Sequence, residues 1–461
     1  MEAPMSASKL PFWPALLCLS AAACSDGEIT ASRPAPIEQI PGGGTRGEPL
    51  EKELGLVALD ARTDAPIVSA QIWLGEGTSA KAVGTTDENG ELRVSEVELK
   101  DTRAGGSSVA ITAVKSGFVT TAYVGIDRDT ATIALRPEDE SVEKTAIRVH
   151  VQGFEPLPRP AAGEYWLGTA AVSRGTDFLD DDLSSARTEP PAPTCRWVNN
   201  ITSCVLTVSA SAGKHTLFAL VAKGRDAGTP SDPSDDTLEV TGINAQALDV
   251  TLDRPDDLVG LKAVGPALTA LAVVPSAAPA GMDKVIGVPG INRSGDVMVF
   301  PALPAAVSDW AVPVNDQEFA GEVLWGVATA SSTDGTQRAR VVQRGVMAPP
   351  SPEPAPIDVS TPTFLEAPSV SMDGTALAVA PPSGASIHRL KLRRGGALVM
   401  DIVLLGGATR FTPPSSLSDP GPADAEISSL ESSQTSEDLS VRQAYLELKR
   451  DSSSEKRLDI P

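Results

Sequence analysis

Alternation of apolar and polar residues is the clearest pattern in the chain. Val68, Ala70, Ile72 and Leu74 alternate with Ser69, Gln71 and Trp73. Because successive side chains of a β-strand point to opposite faces of a sheet, this period of two predicts a strand with one face on a core. Further short apolar runs follow at close intervals: LRV at 92–94, VAITAV at 109–114, VTTAYVGI at 119–126 and TATIAL at 130–135. About seven short strands in about 80 residues predict a β-sandwich.

The same stretch, residues 53–137, resembles the carboxypeptidase regulatory-like domain, which has a transthyretin-like fold. The family has Gly at the position of Asp64, and Asp also adopts the left-handed turn conformation that such a Gly supplies. The resemblance implies a structural or accessory module without catalysis. The residues that carry it are Gly55, Asp60, Pro66, Ala70, Thr86, Asp87, Gly90, Lys115, Gly117, Ile133 and Leu135.

Two further modules are predicted in the middle of the chain. One is predicted over residues 145–254, where the run ALDVTLDRPDD at 247–257 echoes ATIALRPED at 131–139 near the end of the first module. The shared ending indicates repeated units and therefore a second sandwich. Residues 258–346 are expected to form a third β-rich module, either a sandwich or an irregular one. Its predicted strands lie at 296–300, 322–330 and 338–343.

A Pro-rich stretch at 347–362 predicts a linker, and a fourth module is expected over residues 363–450. Gly395-Gly396 joins HRLKLRR to ALVMDIV, which predicts a hairpin. The phrases PPSGASIHRLKL and TRFTPPSSL resemble a fibronectin type III domain, which implies another sandwich.

Two details of the fourth module are predicted from charge and periodicity. The charged residues of the strand from His388 to Arg394 alternate with leucines, a pattern typical of a solvent-exposed strand face, with contact to a polyanion as the alternative. VRQAYLELKR at 441–450 alternates apolar residues and is expected to close this sandwich as a strand. Residues 451–461 are expected to be a polar tail.

The amino terminus indicates export. Residues 10–23 are apolar and uncharged and follow Lys9, a segment too short to span a bilayer but typical of a signal peptide. Ala21-Ala22-Ala23-Cys24 resembles the lipobox of bacterial lipoproteins. The resemblance implies a signal peptide over 1–23, a fatty-acylated diacylglycerol on Cys24 and, with Ser25 next, an outer-membrane address. The lipobox usually has Leu where Ala21 stands, so cleavage by an ordinary signal peptidase after Ala23 stays open.

Residues 24–52 are rich in Pro, Gly and charge, which predicts a flexible tether. GGGTRG at 42–47 satisfies the pattern GxGxxG within it. A phosphate-binding loop of that type follows a strand and opens a helix, and neither is predicted here. The glycines are therefore assigned to the tether.

Length, charge and cysteine content set further bounds. A chain of 461 residues is expected to hold several separate cores. The formal net charge of −22 would repel phosphate backbones, so nucleic acid is excluded as a partner. Of the four cysteines, Cys18 and Cys24 belong to the leader. The spacing of Cys195 and Cys204 does not fit a metal site, so a disulfide that closes a hairpin is predicted.

A search for chemistry yields no catalytic residue, cofactor or metal site. Nucleophile elbow, Walker A and HExxH motifs are all absent, and His150, His215 and His388 lie in predicted strands. The acidic stretches 180–182 and 226–236 are expected to be solvated loops, with calcium binding as the alternative.

Trp73 faces away from the apolar row of its strand. Its indole is the best candidate for a ligand contact, as a platform on which a sugar could stack. Packing between modules is the alternative role for this side chain.

The sequence thus predicts an all-β protein with several small β-sandwich modules in tandem after a signal peptide and a tether. The favoured function is that of a non-enzymatic, lipid-anchored cell-envelope protein, periplasmic or surface-exposed, that serves as a scaffold, adhesion or assembly component. Its partners would be the membrane, through the lipid, and an envelope protein or glycan. The alternatives are a surface carbohydrate-binding protein and an envelope hydrolase with an unrecognised site.

Overall fold

A computed structural model describes most of the chain beyond the leader. The predicted lipid site Cys24, the signal peptide and the acidic loop 180–182 lie outside the described residues. Within them nearly every element is a strand, which confirms the all-β fold class. The described residues are 35–102, 107–138, 144–152, 159–172, 194–197, 204–211, 213–226, 228, 236–251, 258–262, 268–271, 273–293, 296–299, 306–313, 323–347, 357–417, 420–435, 437–447 and 449–460.

The first module is a two-layer sandwich. Alternate residues of its strands point between the layers, so Ile72, Leu74, Ile111 and Ile133 are fully buried there. Its elements are β1 (Gly44–Pro49), β2 (Leu54–Asp60), β3 (Gln71–Leu74), a 3-10 turn (Gly77–Ser79), β4 (Lys81–Thr85), β5 (Glu91–Val94), α1 (Glu96–Thr102), β6 (Val109–Val114), β7 (Thr120–Ile126) and β8 (Arg128–Leu135).

The second module is also built from two facing sheets. Val149, Val151, Ala170, Leu217 and Ala219 meet between them, and every described member of this core lies between residues 147 and 250. Its strands are β9 (Lys144–Gln152), β10 (Glu164–Val172), β11 (Thr194–Trp197), β12 (Cys204–Ser211), β13 (Gly213–Arg225) and β14 (Thr237–Val250).

The third segment divides between its neighbours. β15 (Leu258–Lys262), β16 (Leu268–Leu271) and β20 (Ala306–Pro313) extend the two sheets of the second module, in the orders β12-β9-β15 and β11-β10-β13-β14-β20-β16. β17 (Val273–Pro275) pairs with β23 (Ile357–Val359), so the predicted linker 347–362 contains a strand. The other strands are β18 (Lys284–Arg293), β19 (Asp296–Val299), β21 (Val323–Ser331) and β22 (Gln337–Met347), which confirm the strands predicted near 296, 322 and 338.

The last module contains the predicted hairpin, β26 (Ile387–Arg394) and β27 (Ala397–Leu404), joined by Gly395 and Gly396 at positive φ. The segment expected to close the sandwich as a strand is instead a helix, α2 (Val441–Leu446), begun by the Ser440 side chain, which accepts from the Gln443 amide. The remaining strands are β24 (Ser369–Asp373), β25 (Ala376–Ala380), β28 (Arg410–Phe411), β29 (Gly421–Glu431), β30 (Asp438–Ser440) and β31 (Arg450–Ile460).

One long sheet connects the first, third and last modules. Among the described residues its order is β19-β18-β21-β22-β31-β29-β26-β27-β7-β6-β3-β4. The predicted polar tail is wrong, because β31 lies inside this sheet between β22 and β29 and alternates buried Ser452 and Ser454 with more exposed neighbours. A second sheet, β30-β1-β8-β2-β5, covers one face of its β3–β7 end.

The flexible tether predicted over 24–52 is wrong for its described C-terminal part. Ile37 and Ile40 are buried, and β1 lies hydrogen-bonded between β8 and β30. The glycine-rich composition that suggested flexibility serves close packing instead. No helix in the described part of the chain is long and apolar enough to cross a membrane.

Candidate functional site

The junction of the first and last modules holds two ion pairs and a small cavity. β7 and β27 run parallel, with Met400 opposite Thr120 and Leu404 opposite Val124. The core of the first sandwich includes Val403, Leu405 and Leu439 from the last module. The two modules therefore share one sheet and one interior, which tandem autonomous domains would not do.

A buried ion pair lies at this junction. Asp401 is 1% exposed, and the Arg389 guanidinium donates to it twice, from Nε at 2.8 Å and from Nη2 at 2.5 Å. The two-pronged geometry compensates the desolvation of both charges. Asp401 stands inside the apolar run ALVMDIV. A charge in such a run requires a buried partner, and this signal could have located the site from the sequence.

A second ion pair joins α2 to the first module. Arg442 donates from Nη1 to Asp64 at 2.5 Å and from Nη2 to the Ala61 carbonyl at 2.8 Å. Asp64 has a φ of 56°, which confirms the left-handed conformation predicted for it. Its carboxylate also accepts from the Gly42 amide at 3.0 Å. The departure from Gly at this position thus supplies a contact that Gly could not make.

A small cavity separates the two ion pairs. It is lined by Tyr123, Val403, Arg389, Asp401 and Arg442, with further contributions from α2. Burial raises the pKa of Tyr123 to about 12, so its phenol keeps its proton at neutral pH. The two arginines are balanced by Asp401 and Asp64.

His388 and Ser429 form a hydrogen-bonded pair on the other face of the long sheet. Nδ1 of His388 lies 2.9 Å from Oγ of Ser429, and burial alone lowers the pKa of His388 to about 4. His388 is 3% exposed and Ser429 is 0% exposed, so the pair has no access to a substrate. The exposed face predicted for this strand is wrong, since Lys391 is also buried. The charged face of β26 lies at the junction of the modules, where Arg389 binds the buried Asp401.

The residues that carry the resemblance of the first module have local structural roles. Thr86 Oγ1 accepts from the Ala70 amide at 2.9 Å and donates to the Ile67 carbonyl at 2.6 Å. Asp87 Oδ1 accepts from the amide of Asn89 at 2.8 Å, as in an Asx turn. Lys115 Nζ donates to the Val68 carbonyl at 2.7 Å. These contacts fix turns and strand ends.

Trp73 is half-buried. The register places Trp73 on β3 opposite Thr112 on β6. Thr112 is in turn opposite Ala122 on β7, which belongs to the core of the last module. Its indole nitrogen is buried and has no hydrogen-bond partner among the described residues. A ligand contact through Trp73 stays a prediction, and this environment favours the alternative of packing between modules.

The described part of the second acidic stretch is engaged within the protein. Tyr165 donates to Asp236 at 2.6 Å, and Arg196 lies 3.2 Å from Asp226. Arg196 also stacks on the Tyr165 ring, 3.6 Å from its centroid. No metal-binding group of His, Cys, Asp or Glu side chains occurs among the described residues.

The two cysteines of the second module lie on strands of different sheets. Cys195 lies on β11, which pairs with β10, whereas Cys204 begins β12, which pairs with β9. The predicted hairpin between them is therefore wrong. A bond between these cysteines would connect the two layers of the sandwich, and the Cys195 side chain packs against the core between them.

No protein-family model and no curated protein matches the chain. Solved structures that resemble it include a double mutant of the shaft pilin SpaA from Lactobacillus rhamnosus GG, with 8% identity over 47% of this chain and 98% of that chain and a TM-score of 0.15. The major pilin subunit BcpA of Bacillus cereus has 11% identity over 69% and 99%, with a TM-score of 0.13. The pilus adhesin SpaC from Lactobacillus rhamnosus GG, in its open conformation, has 7% identity over 78% and 44%, with a TM-score of 0.11. Similarity at this level supports no inference about function.

Proposed function

We propose that this chain is a non-enzymatic cell-envelope protein, held to a membrane by a lipid on Cys24, that acts as a rigid scaffold or assembly component. One observation carries the scaffold role: the long sheet and its shared interior join the first and last modules into one body. At that junction, Arg389 is paired with Asp401 and Arg442 is paired with Asp64. Such a body keeps its surfaces in fixed relative positions, which is what an assembly component needs.

The chemistry of the described residues supports a role without catalysis. Asp401 and Asp64 are bound by arginines, and Tyr123 is held protonated. The His388–Ser429 pair is closed off from solvent. A general base needs both a suitable pKa and access to a substrate. Activity on broad ester, peptide and glycoside substrates is therefore expected to stay at background, and turnover above background would contradict this part of the proposal.

The lipid anchor is tested by metabolic labelling with a radioactive or alkyne-tagged fatty acid, followed by membrane fractionation. The native chain is expected to carry label and to sediment with membranes, and Cys24→Ala to lose both. Cys18→Ala is the matched control, since Cys18 lies within the apolar run of the leader and should tolerate the change. Label on the Cys24→Ala protein would refute the anchor.

A disulfide between Cys195 and Cys204 belongs to the same proposal, because export exposes the chain to oxidising conditions. It is supported by the position of Cys195, whose side chain packs against the core between the layers of the second sandwich. Non-reducing peptide mapping of the exported protein should recover the two cysteines in one cross-linked peptide. Recovery of both as free thiols would exclude the bond.

A further inference from the structure

Three consecutive glycines at the start of the folded body make close contacts with residues far away in the chain. A β-carbon at Gly42 would lie 2.3 Å from Cβ of Arg442, and one at Gly43 would lie 2.1 Å from the Tyr123 hydroxyl. One at Gly44 would lie 1.8 Å from the Leu439 carbonyl oxygen. Only a residue without a side chain fits at such distances. The glycines predicted to be linker are therefore sites of close packing.

The C-terminal segment holds the backbone of these glycines directly. The Val441 amide donates to the Gly43 carbonyl at 2.8 Å, and Ser440 Oγ donates to the Pro41 carbonyl at 3.0 Å. β30 pairs antiparallel with β1, with Gly44 opposite Ser440. Arg46 Nε donates to Asp438 at 2.7 Å across the same pair. Residues 41–46 are thus bound by residues 438–442 through backbone and side chains together.

On its other edge, β1 pairs antiparallel with β8, with Gly44 opposite Thr132. Ile40 is 1% exposed, and its amide donates to Thr132 Oγ1 at 3.0 Å. A strand held on both edges resists a pull along its own axis in shear, because several hydrogen bonds must break at once. A force applied at the N-terminal end of the folded body acts on β1 before it acts on any later strand.

We propose that Gly42–Gly44 and Asp438–Arg442 form a clasp, in which the C-terminal segment locks the first strand of the body against tension from the N-terminal side. The mechanical role rests on the proposed lipid anchor, which would make the N-terminal side the point of attachment. The binding partner of the glycine segment is the C-terminal segment of the same chain. Opening of β1 and opening of β30 with the start of α2 are therefore a single event.

The first test is hydrogen exchange on the full mature chain without its lipid, comparing Gly43→Ala with Gly117→Ala. Both glycines have a φ of +83°, and a β-carbon at Gly117 meets nothing within 4 Å. The two variants thus carry the same backbone strain, and they differ in the contact with Tyr123. Gly43→Ala is expected to speed exchange at residues 44–46 and 438–441 together by about tenfold or more, while Gly117→Ala leaves both segments protected.

A gentler pair of variants covers the case in which Gly43→Ala fails to fold. Arg442→Ala removes the bonds to Asp64 and Ala61, whereas Arg410→Ala removes a largely exposed pair with Asp373. Arg442→Ala should speed exchange in both segments, and Arg410→Ala in neither. Faster exchange of β1 alone, or equal effects within either matched pair of variants, would overturn the clasp.

Pulling the same lipid-free chain between its two ends in optical tweezers tests the mechanical role. The first rupture should release residues 35–50, an extension of roughly 50 Å, and should need less force in Arg442→Ala than in Arg410→Ala. A first rupture elsewhere, with equal forces in the two variants, would contradict the role. Because no lipid is used, failed labelling at Cys24 would refute the anchor and leave the clasp standing.

Discussion

Single charged residues inside the β-sheet have a larger effect on this protein than their number suggests. Asp401 is buried between apolar neighbours and is held by Arg389. Removing one member of a buried pair leaves the other charge without compensation, which costs far more than the pair contributes in net terms. The pair therefore fixes the pairing of β26 with β27 at the junction more than it adds net stability.

We expect Asp401→Asn to lower the free energy of unfolding by about 3–5 kcal/mol, because the Arg389 charge would stay buried without a counter-ion. Urea unfolding followed by far-UV circular dichroism measures this change. Asp373→Asn is the matched control. It weakens the exposed pair with Arg410 and should cost less than about 1 kcal/mol. Equal losses in the two variants would show that the junction pair is not specifically required.

His388 is expected to make the stability of the fold depend on pH in the acidic range. Its pKa of about 4 in the folded state lies below the ordinary value of 6.5, so the unfolded chain takes up its proton first as the pH falls. The stability that the neutral, buried His388 allows is fully present above about pH 6.5. It is lost progressively toward pH 4, and the total loss in the free energy of unfolding is about 3 kcal/mol at most. Unfolding of the native chain and of His388→Asn should be compared at several pH values. A pH slope unchanged in the variant would contradict the assignment.

At the scale of elements, the sequence predicted most strands but not their partners. The period of two located β3 and β26, and short apolar runs located β6 and β7, because both patterns are local properties. The parallel pairing of β7 with β27 leaves no local mark, so the junction could not be predicted. The segment at 441–450 alternates apolar residues, yet it forms α2 because the Ser440 cap and the packing of Val441, Ala444 and Tyr445 favour one helical turn. In this segment the helix cap and tertiary contacts determined the secondary structure, which the periodicity alone could not specify.

The strand β31 gives an element-scale prediction. It pairs along its length with β29 and through Arg450–Ser454 with β22. Ser453→Pro would remove a ladder amide in the middle of the long sheet, so a loss of about 3 kcal/mol or more is expected. Ser453→Ala keeps the amide and should be nearly neutral. Thermal unfolding of both variants decides whether the C-terminal residues are a structural strand, and equal melting temperatures would show that they are not.

At the scale of the whole molecule, the described modules differ in how far they depend on the rest of the chain. Among the described residues, the core of the second module is made from residues 147–250 alone. The core of the first also needs Val403, Leu405, Leu439 and Val441. The resemblance of residues 53–137 to an independent domain family implies autonomy, and the shared core argues against it in this chain.

Two fragments test this difference. Residues 144–262 are expected to give dispersed NMR spectra and a cooperative melting transition on their own. Residues 35–138 should not, because the apolar surface that faces β27 and α2 would be left in water. Addition of residues 357–461 to the second fragment should restore its dispersion. A cooperatively folded fragment 35–138 would mean that the shared interior is dispensable.

The parallel ladder between β7 and β27 also determines when the chain can finish folding. Thr120 is synthesised roughly 280 residues before its partner Met400, so the two can meet only after the whole segment between them has been made. Closing so long a loop is entropically unfavourable until many contacts form together. The first module therefore cannot complete its core until β27 has been made, whereas the second module, whose described core lies within residues 147–250, can fold before the junction closes.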